Sequence, residues 1–146
     1  MKGVILAGGS GSRLHPLTVA VNKHLLPIGR QPMVSRSLIK LVESGIEEVC
    51  IVTNPEYVSN FSSLLKSGKD YGCDISYKVQ DQPGGIAQAL GLCKKFVGND
   101  NCTVLLGDNM FNDSLKEDIK TFSGDCKLFF KHVPDGHRYG VGNFSK

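Results

Sequence analysis

Short, nearly continuous apolar runs alternate along the chain with segments whose apolar residues recur at helical spacing. The first run, Gly3-Val4-Ile5-Leu6, is typical of a buried strand. Comparable runs predict further strands at 48–53, 102–106 and 126–133, and alternating apolar and polar residues predict a strand at 74–80. Helical stripes predict helices from Pro32 to Gly45, from Val58 to Gly68, from Ile86 to Val97, and from a capping box at Ser114–Glu117.

This alternation predicts an α/β fold around a mainly parallel sheet, because strands buried on both faces are apolar throughout. The 146 residues suit one domain, and 40% apolar with 21% charged residues is ordinary for a globular protein. Ligands of such sheets bind beyond the carboxyl ends of the strands. The segments Gly8–Arg13 and Gln80–Gly85 and the residue Asp108 all follow predicted strands, so we expect them at one edge.

Composition narrows the function classes. A net charge of +3 is too small and dispersed to indicate a nucleic-acid surface. No apolar run approaches the roughly 18 residues of a membrane span, and the first residues lack a signal-peptide pattern, so we expect a cytoplasmic setting. Five cysteines without a C-x-x-C pair favour free thiols in a reducing compartment.

The segment Leu6–Leu14 carries the clearest chemistry. Its glycines allow a sharp turn that brings backbone N–H groups close to an anion, and Arg13 and Lys23 add positive charge. A triphosphate site is the leading hypothesis. A dinucleotide G-x-G-x-x-G pattern fails because Leu14 stands where Gly or Ala is needed, and no Gly-Lys-Ser/Thr follows as in a P-loop. A purely structural turn stays open.

The segment from Leu6 to Thr18, followed by Asn22-Lys23-His24-Leu25-Leu26-Pro27-Ile28, resembles the sugar-phosphate nucleotidyltransferases, most closely their thymidylyltransferase branch. The resemblance covers essentially the whole chain in family order. It continues through Lys78-Val79-Gln80, Pro83–Ala89, Leu106-Gly107-Asp108-Asn109 and Arg138-Tyr139-Gly140-Val141. It implies a three-layer Rossmann-like fold with helices on both faces of the sheet.

The resemblance also implies a reaction. The phosphate oxygen of a sugar 1-phosphate, foremost glucose 1-phosphate, attacks the α-phosphorus of dTTP or UTP, and pyrophosphate leaves. Arg13 and Lys23 are the implied catalytic cations, Asp108 is the implied Mg²⁺ ligand, and Asn109, Tyr139 and Gly140 are implied to meet the sugar. The implied nucleotide-binding residues are Leu6, Ala7, Gly8, Gly9, Ser10, Gly11, Ser12, Arg13, Gln80, Pro83, Gly85, Gln88, Gly107 and Asp108.

Each of these residues also has a plainer interpretation. Lys23 could be a solvated surface lysine, Asp108 a helix cap and Gln80 a surface glutamine. Gly84 replaces the acid of the family's Pro-x-Pro-Asp-Gly segment, which leaves the choice of base open. The dispersed histidines predict no metal pair or triad.

Members of the family are about twice this long. We expect residues 1–146 to form the nucleotide-binding portion, without the later lysine that grips the sugar phosphate and the later aspartate that supplies a second metal ligand. Three possibilities follow: a fragment of an ordinary enzyme, a nucleotide-binding module without turnover, or one half of a split enzyme. Self-association or a complementing chain is expected in each case, since truncation exposes apolar surface.

Overall fold

The structure, a computed structural model, describes residues 1–9 and 11–143. Its strands are β1 (Lys2–Leu6), β2 (Pro27–Ile28), β3 (Gln31–Pro32), β4 (Glu48–Thr53), β5 (Asp74–Val79) and β6 (Cys102–Leu106). Its α-helices are α1 (Met33–Glu43), α2 (Val58–Leu65), α3 (Gly85–Gly91), α4 (Lys94–Val97) and α5 (Lys116–Lys120). Single 3₁₀ turns lie at Ser12–Leu14, Lys23–Leu25, Pro55–Tyr57, Lys69–Tyr71 and Gly136–Arg138.

The main sheet has the order β5-β4-β1-β6, and all of its pairings are parallel. Val4 lies between Cys50 of β4 and Val104 of β6, so the apolar centres of these three strands are in register. The short strands β2 and β3 form a separate antiparallel hairpin. The predicted α/β fold with a mainly parallel sheet is confirmed.

Helices cover both faces of the sheet. One face packs against α1 and α2, with Leu38 and Phe61 completely buried beside Ile5 and Ile51. The other face packs against α3 and α4, where Ala89 and Cys93 meet residues of β1 and β4. Alternate side chains of β1 and β4 serve the two layers, which explains why these central strands are mostly apolar.

The strand predicted at 126–133 is wrong. The structure has no strand in that segment, and Leu128 and Phe129 are exposed there. A β-strand forms only alongside another strand that accepts and donates its backbone hydrogen bonds, and neither sheet of the described residues extends to this segment. The apolar run is present, but local sequence does not specify the neighbour.

The helix predicted from Ile86 to Val97 is interrupted. It divides at Leu92 and Cys93, where the Cys93 amide donates to the carbonyl of Leu90 (2.9 Å) in a tighter turn. The buried side chains of Ala89 and Cys93 still point to the sheet. Ile86, the first residue of the predicted helix, is 59% exposed, so the periodicity predicted the buried face only in part and the continuity of the helix incorrectly.

All five cysteines are free thiols, in keeping with the absence of a disulfide pattern. Cys50, Cys73 and Cys93 are buried, whereas Cys126 is exposed. No helix within the described residues is long and apolar enough to cross a membrane.

Candidate functional site

The carboxyl ends of the four parallel strands gather the polar segments that the sequence singles out. The glycine loop follows β1, Gln80 follows β5, and Asp108 lies two residues after β6. Contacts join them: Gly8 approaches Gln80, Gly11 approaches Lys23, and Lys23 pairs with Asp108. The topology thus brings the predicted segments to one edge of the sheet.

The glycine loop has a backbone that most residues could not adopt. Gly9 and Gly11 have φ angles of 101° and 62°. The Thr18 hydroxyl donates to the carbonyl of Gly11 (2.8 Å), and a Cβ atom at Gly8 would lie 2.9 Å from Oε1 of Gln80. Ser10 lies outside the described residues. Glycine is therefore required here by geometry, which accounts for the loop's composition.

Arg13 lies on the 3₁₀ turn that ends the loop, Ser12–Leu14, and its side chain is exposed. The same turn begins at Gly11, whose carbonyl accepts from the Leu14 amide (2.9 Å). A guanidinium on a short fixed turn beside open solvent is accessible to an anionic ligand. Its position is compatible with the predicted phosphate contact.

Lys23 and Asp108 form the shortest ion pair at this edge. Nζ of Lys23 lies 2.5 Å from Oδ2 of Asp108, and both side chains are partly buried. Lys23 opens a 3₁₀ turn whose preceding residue, Asn22, is almost fully buried. This turn crosses from the glycine loop to the end of β6, so the lysine is held between the two segments.

Asn22 fixes that turn through both ends of its amide. Its Nδ2 donates to the carbonyl of Ala7 (3.2 Å), and its Oδ1 accepts from the backbone amide of His24 (2.9 Å). Oδ1 also lies 2.8 Å from Nδ1 of His24, which therefore carries the proton in the neutral ring. Burial, followed by the charge of Lys23, lowers the pKa of His24 to about 4.

His24 in turn packs against the strand that carries Asp108. A Cβ atom at Gly107 would lie 2.8 Å from Cδ2 of His24, so only glycine fits there. The Gly107 amide donates to the carbonyl of Leu6 (2.9 Å). Leu6, Ala7 and Gly107 therefore contribute backbone to the frame of the site, whereas Lys23 and Asp108 contribute its charge.

Asp108 is the candidate metal ligand. Burial alone would raise its pKa, but the hydrogen bond and charge of Lys23 outweigh burial and lower it, so the carboxylate is ionised at neutral pH. Among the described residues no cluster of three metal-binding side chains exists. Mg²⁺ commonly binds one or two carboxylates together with substrate phosphates and waters. One ionised carboxylate beside an open edge fits that donor set.

Gln80 is held by the segment that opens α3. Its Nε2 donates to Oε1 of Gln88 (2.6 Å) and to the carbonyl of Gly85 (3.3 Å). Oε1 of Gln88 also accepts from the Gly84 amide (3.2 Å), and Gly85 has a φ of 88°. The glutamine predicted to read a base is thus buried and oriented, although the plainer interpretation would leave it at the surface.

A cleft of about 200 Å³ lies between the glycine loop and the segments that follow β4 and β5. It is lined by Gly9, Asn54, Pro55, Glu56, Gln80, Asp81 and Pro83. Gln80 forms one wall, and the exposed Pro83 forms the rim. The cleft is therefore continuous with the candidate phosphate loop.

The predicted sugar-binding residues are less closely joined to this edge. Asn109 directly follows Asp108, and its amide donates to the carbonyl of Leu106 (2.9 Å). Tyr139 and Gly140 are exposed after the turn Gly136–Arg138, and the Tyr139 amide donates within that turn. The described contacts of Tyr139 and Gly140 are local and do not bring them to the glycine loop.

Sequence patterns did not single out two asparagines of this edge. Asn22 holds the turn that carries Lys23, and Asn54 contacts the glycine loop. Asn54 follows β4 directly, and its Oδ1 accepts from the Gly9 amide (3.1 Å). Its position directly after a predicted strand could have identified Asn54 as a candidate site residue, because Gln80 and Asp108 were identified by positions of the same kind.

A family model and several curated relatives match the sequence of this chain. The family model described as nucleotidyl transferase matches residues 2–146. A glucose-1-phosphate thymidylyltransferase of Neisseria meningitidis is 41% identical, over 100% of this chain and 52% of the relative. The glycan biosynthesis nucleotidyltransferase Agl11 of Haloferax volcanii is 36% identical over 98% of this chain and 41% of its own.

Solved structures give the same result. A Bacillus anthracis protein assigned as a glucose-1-phosphate thymidylyltransferase is 51% identical, with a TM-score of 0.80 over 82% of this chain and 49% of that one. A UDP-glucose pyrophosphorylase in complex with UDP-glucose is 27% identical, with a TM-score of 0.66 over 82% and 51% of the two chains. The chain spans about half the length of the curated relatives it matches. With a matching family model over nearly all of its residues, the chain belongs to the nucleotidyl transferase family.

Proposed function

We propose that residues 1–146 form the nucleotide-binding domain of a sugar-phosphate nucleotidyltransferase. The donor is dTTP or UTP, the acceptor is a sugar 1-phosphate, foremost glucose 1-phosphate, and the products are a nucleoside diphosphate sugar and pyrophosphate. One observation carries this proposal: Gln80, the glycine loop and the Lys23–Asp108 pair lie in succession along one sheet edge. A base, a triphosphate and a metal are arranged in that order in a metal-bound nucleotide.

The nucleotide end of the site needs no protein nucleophile. The backbone amides of Gly8, Gly11 and Ser12 and the side chain of Arg13 bind the triphosphate and stabilise the leaving pyrophosphate, whereas the Gly9 amide is held by Asn54. Both hydrogens of Gln80 Nε2 are engaged by Gln88 and Gly85, which leaves Oε1 of Gln80 as the acceptor for the imide N–H of thymine or uracil. Positioning and charge neutralisation supply most of the acceleration in reactions of this type.

Lys23 and Asp108 serve the reacting phosphates. Asp108 would hold Mg²⁺ together with phosphate oxygens, as its ionised and partly exposed carboxylate allows. Mg²⁺ in such a site neutralises phosphate charge and orients the α-phosphorus. With a metal ion on Asp108, Lys23 would be free to donate to a phosphate oxygen, which would keep the charge of Lys23 compensated.

The acceptor half completes the site. Asn109 lies next to Asp108 and is the nearest candidate for the sugar, whereas Tyr139 and Gly140 need a rearrangement to reach it. The phosphate oxygen of the sugar 1-phosphate forms the new bond to the α-phosphorus, and the bond to the pyrophosphate oxygen breaks. The remaining groups for the acceptor lie outside residues 1–146, in a continuation of the same polypeptide, in a second copy or in a complementing chain.

A pyrophosphate-release assay tests this proposal. The chain is incubated with Mg²⁺, glucose 1-phosphate and either dTTP or UTP, with Arg13→Ala as the variant and Arg30→Ala, at an exposed turn, as the control. We expect release that depends on both substrates and is abolished by Arg13→Ala only. Binding of dTTP without release would support a nucleotide-binding module instead, and equal rates for Arg13→Ala and the unaltered chain would remove Arg13 from the mechanism.

A further inference from the structure

Asn54 makes the contact that joins the glycine loop to the neighbouring strand. It directly follows β4, and its Oδ1 accepts a hydrogen bond from the Gly9 amide at 3.1 Å. Gly9 has a φ of 101°, so this amide belongs to the part of the loop with the least common backbone conformation. The bond spans 45 residues of sequence, and it therefore fixes the loop to the sheet rather than to itself.

Asn54 acts together with Gln80. Thr53 of β4 pairs with Val79 of β5, so the two amide side chains follow adjacent paired residues. Between them lies Gly8: a Cβ atom there would be 2.9 Å from Oε1 of Gln80 and 3.1 Å from Oδ1 of Asn54. The carboxamides of Asn54 and Gln80 thus both lie against the loop at Gly8, and they can do so because Gly8 has no side chain.

The same asparagine forms a wall of the cleft. Gly9, Asn54 and Gln80 all line it, on the side where α3 begins. Oδ1 of Asn54 is engaged with the loop, which leaves its Nδ2 as the donor near the open space. The residue therefore contacts both the candidate phosphate loop and the candidate base cleft.

We propose that Asn54 is a positioning residue that holds the Gly9 amide and so sets the glycine loop, relative to Gln80, in its nucleotide-receiving conformation. This inference rests on the function proposed above. A loop with three described glycines has many conformations in solution, and ordering it on binding would reduce affinity. A hydrogen bond that orders the loop before the nucleotide arrives removes part of that loss.

The first arm of the test uses the ligand-free chain. Exchange of the Gly9 amide with water is measured by NMR for the unaltered chain, Asn54→Ala, Asn54→Asp and the control Asn60→Ala, which alters an exposed asparagine of α2. We expect exchange about tenfold faster in Asn54→Ala only, since the carboxylate of Asn54→Asp still accepts the bond. Unchanged exchange in Asn54→Ala would overturn the proposal.

The second arm measures dTTP affinity by calorimetry with Mg²⁺. Asn54→Ala is expected to raise the dissociation constant about fivefold to tenfold, and Asn60→Ala to leave it unchanged. Weaker dTTP binding in Asn54→Ala without faster Gly9 exchange would make Asn54 a direct nucleotide contact and overturn its positioning role. If dTTP fails to bind the unaltered chain, the proposed function fails, whereas the exchange arm still decides whether Asn54 holds the loop.

Discussion

At the scale of single residues, the site depends on close approaches that a larger residue would disturb. At Gly8 the polar side-chain ends of Gln80 and Asn54 lie within 3.1 Å of where a Cβ would be. The glycine can be understood from packing, apart from any role in binding phosphate. Both atoms can move, so a methyl group there displaces the two amides rather than the sheet.

We therefore expect Gly8→Ala to separate stability from binding. Its free energy of unfolding in urea should change by less than about 1 kcal/mol, since only flexible side-chain ends must shift. Its affinity for dTTP should fall at least about tenfold, because both carboxamides leave their positions. Gly91→Ala is the control, as a Cβ there meets nothing within 4 Å. An unaltered affinity in Gly8→Ala would show that the amides do not set the site.

His24 gives a prediction for pH. Its pKa is about 4 in the folded chain, mainly because it is buried, against 6.5 when the chain is unfolded. The unfolded state therefore binds a proton first as the pH falls, and stability conferred by the neutral ring is present above pH 6.5 and is lost towards pH 4.

The expected loss from about pH 7.5 to about pH 5 is about 2 kcal/mol in the free energy of unfolding. Urea unfolding at the two pH values measures it for the unaltered chain, for His24→Gln and for His15→Gln, whose histidine is exposed. His24→Gln should lose this part of the pH dependence and His15→Gln should keep it. Equal slopes in all three chains would contradict the burial of a neutral His24.

At the scale of elements, the side chain of Gln88 connects the start of α3 to Gln80 of the candidate site. Oε1 of Gln88 accepts from Nε2 of Gln80 and from the Gly84 amide. A helix of seven residues has little stability of its own, so this link joins the helix to the residue it is proposed to orient. The glutamine at position 88 therefore acts on the base cleft through Gln80.

Gln88→Ala should weaken dTTP binding about tenfold by releasing the Gln80 amide. Gln88→Glu keeps an acceptor at the same place and should retain most of the affinity. Gln82→Ala alters an exposed glutamine of the preceding loop and serves as the control. Calorimetry measures all three, and equal affinities for Gln88→Ala and Gln82→Ala would refute the role of the link.

Elements also show what the sequence can and cannot specify. The strands β1, β4 and β6 were predictable because most of their residues are apolar, and β5 was predictable because its apolar residues alternate with polar ones. The run at 126–133 has a similar composition and forms no strand, since strand formation depends on a neighbour that periodicity does not reveal. The contacts of Asn22 and Asn54 were equally hidden, because each joins residues far apart or depends on a side chain's orientation.

At the scale of the whole molecule, the apolar run at 126–133 places large apolar side chains in solvent. Leu128 and Phe129 are 69% and 65% exposed. Such surface favours association with a second copy or with a complementing polypeptide. It belongs to the part of the chain after β6, beyond the nucleotide end of the site.

We expect the isolated chain to sediment as a concentration-dependent oligomer. Replacing Leu128 and Phe129 together by serine should shift it towards the monomer, whereas Leu64→Ser, at a less exposed leucine of α2, should not. Sedimentation velocity over a range of concentrations measures the change. A monomer at every concentration, with the leucine and phenylalanine intact, would contradict the association.

The central claim is that this chain by itself carries the nucleotide end of the site, and calorimetric titration with dTTP and Mg²⁺ tests it most directly. We predict saturable binding at one site, with a dissociation constant between about 1 µM and about 1 mM. Lys23→Met should weaken it more than about tenfold, and Lys95→Met, at an exposed lysine of α4, should leave it unchanged. The absence of saturable dTTP binding, or equal affinities in the two lysine variants, would contradict the account.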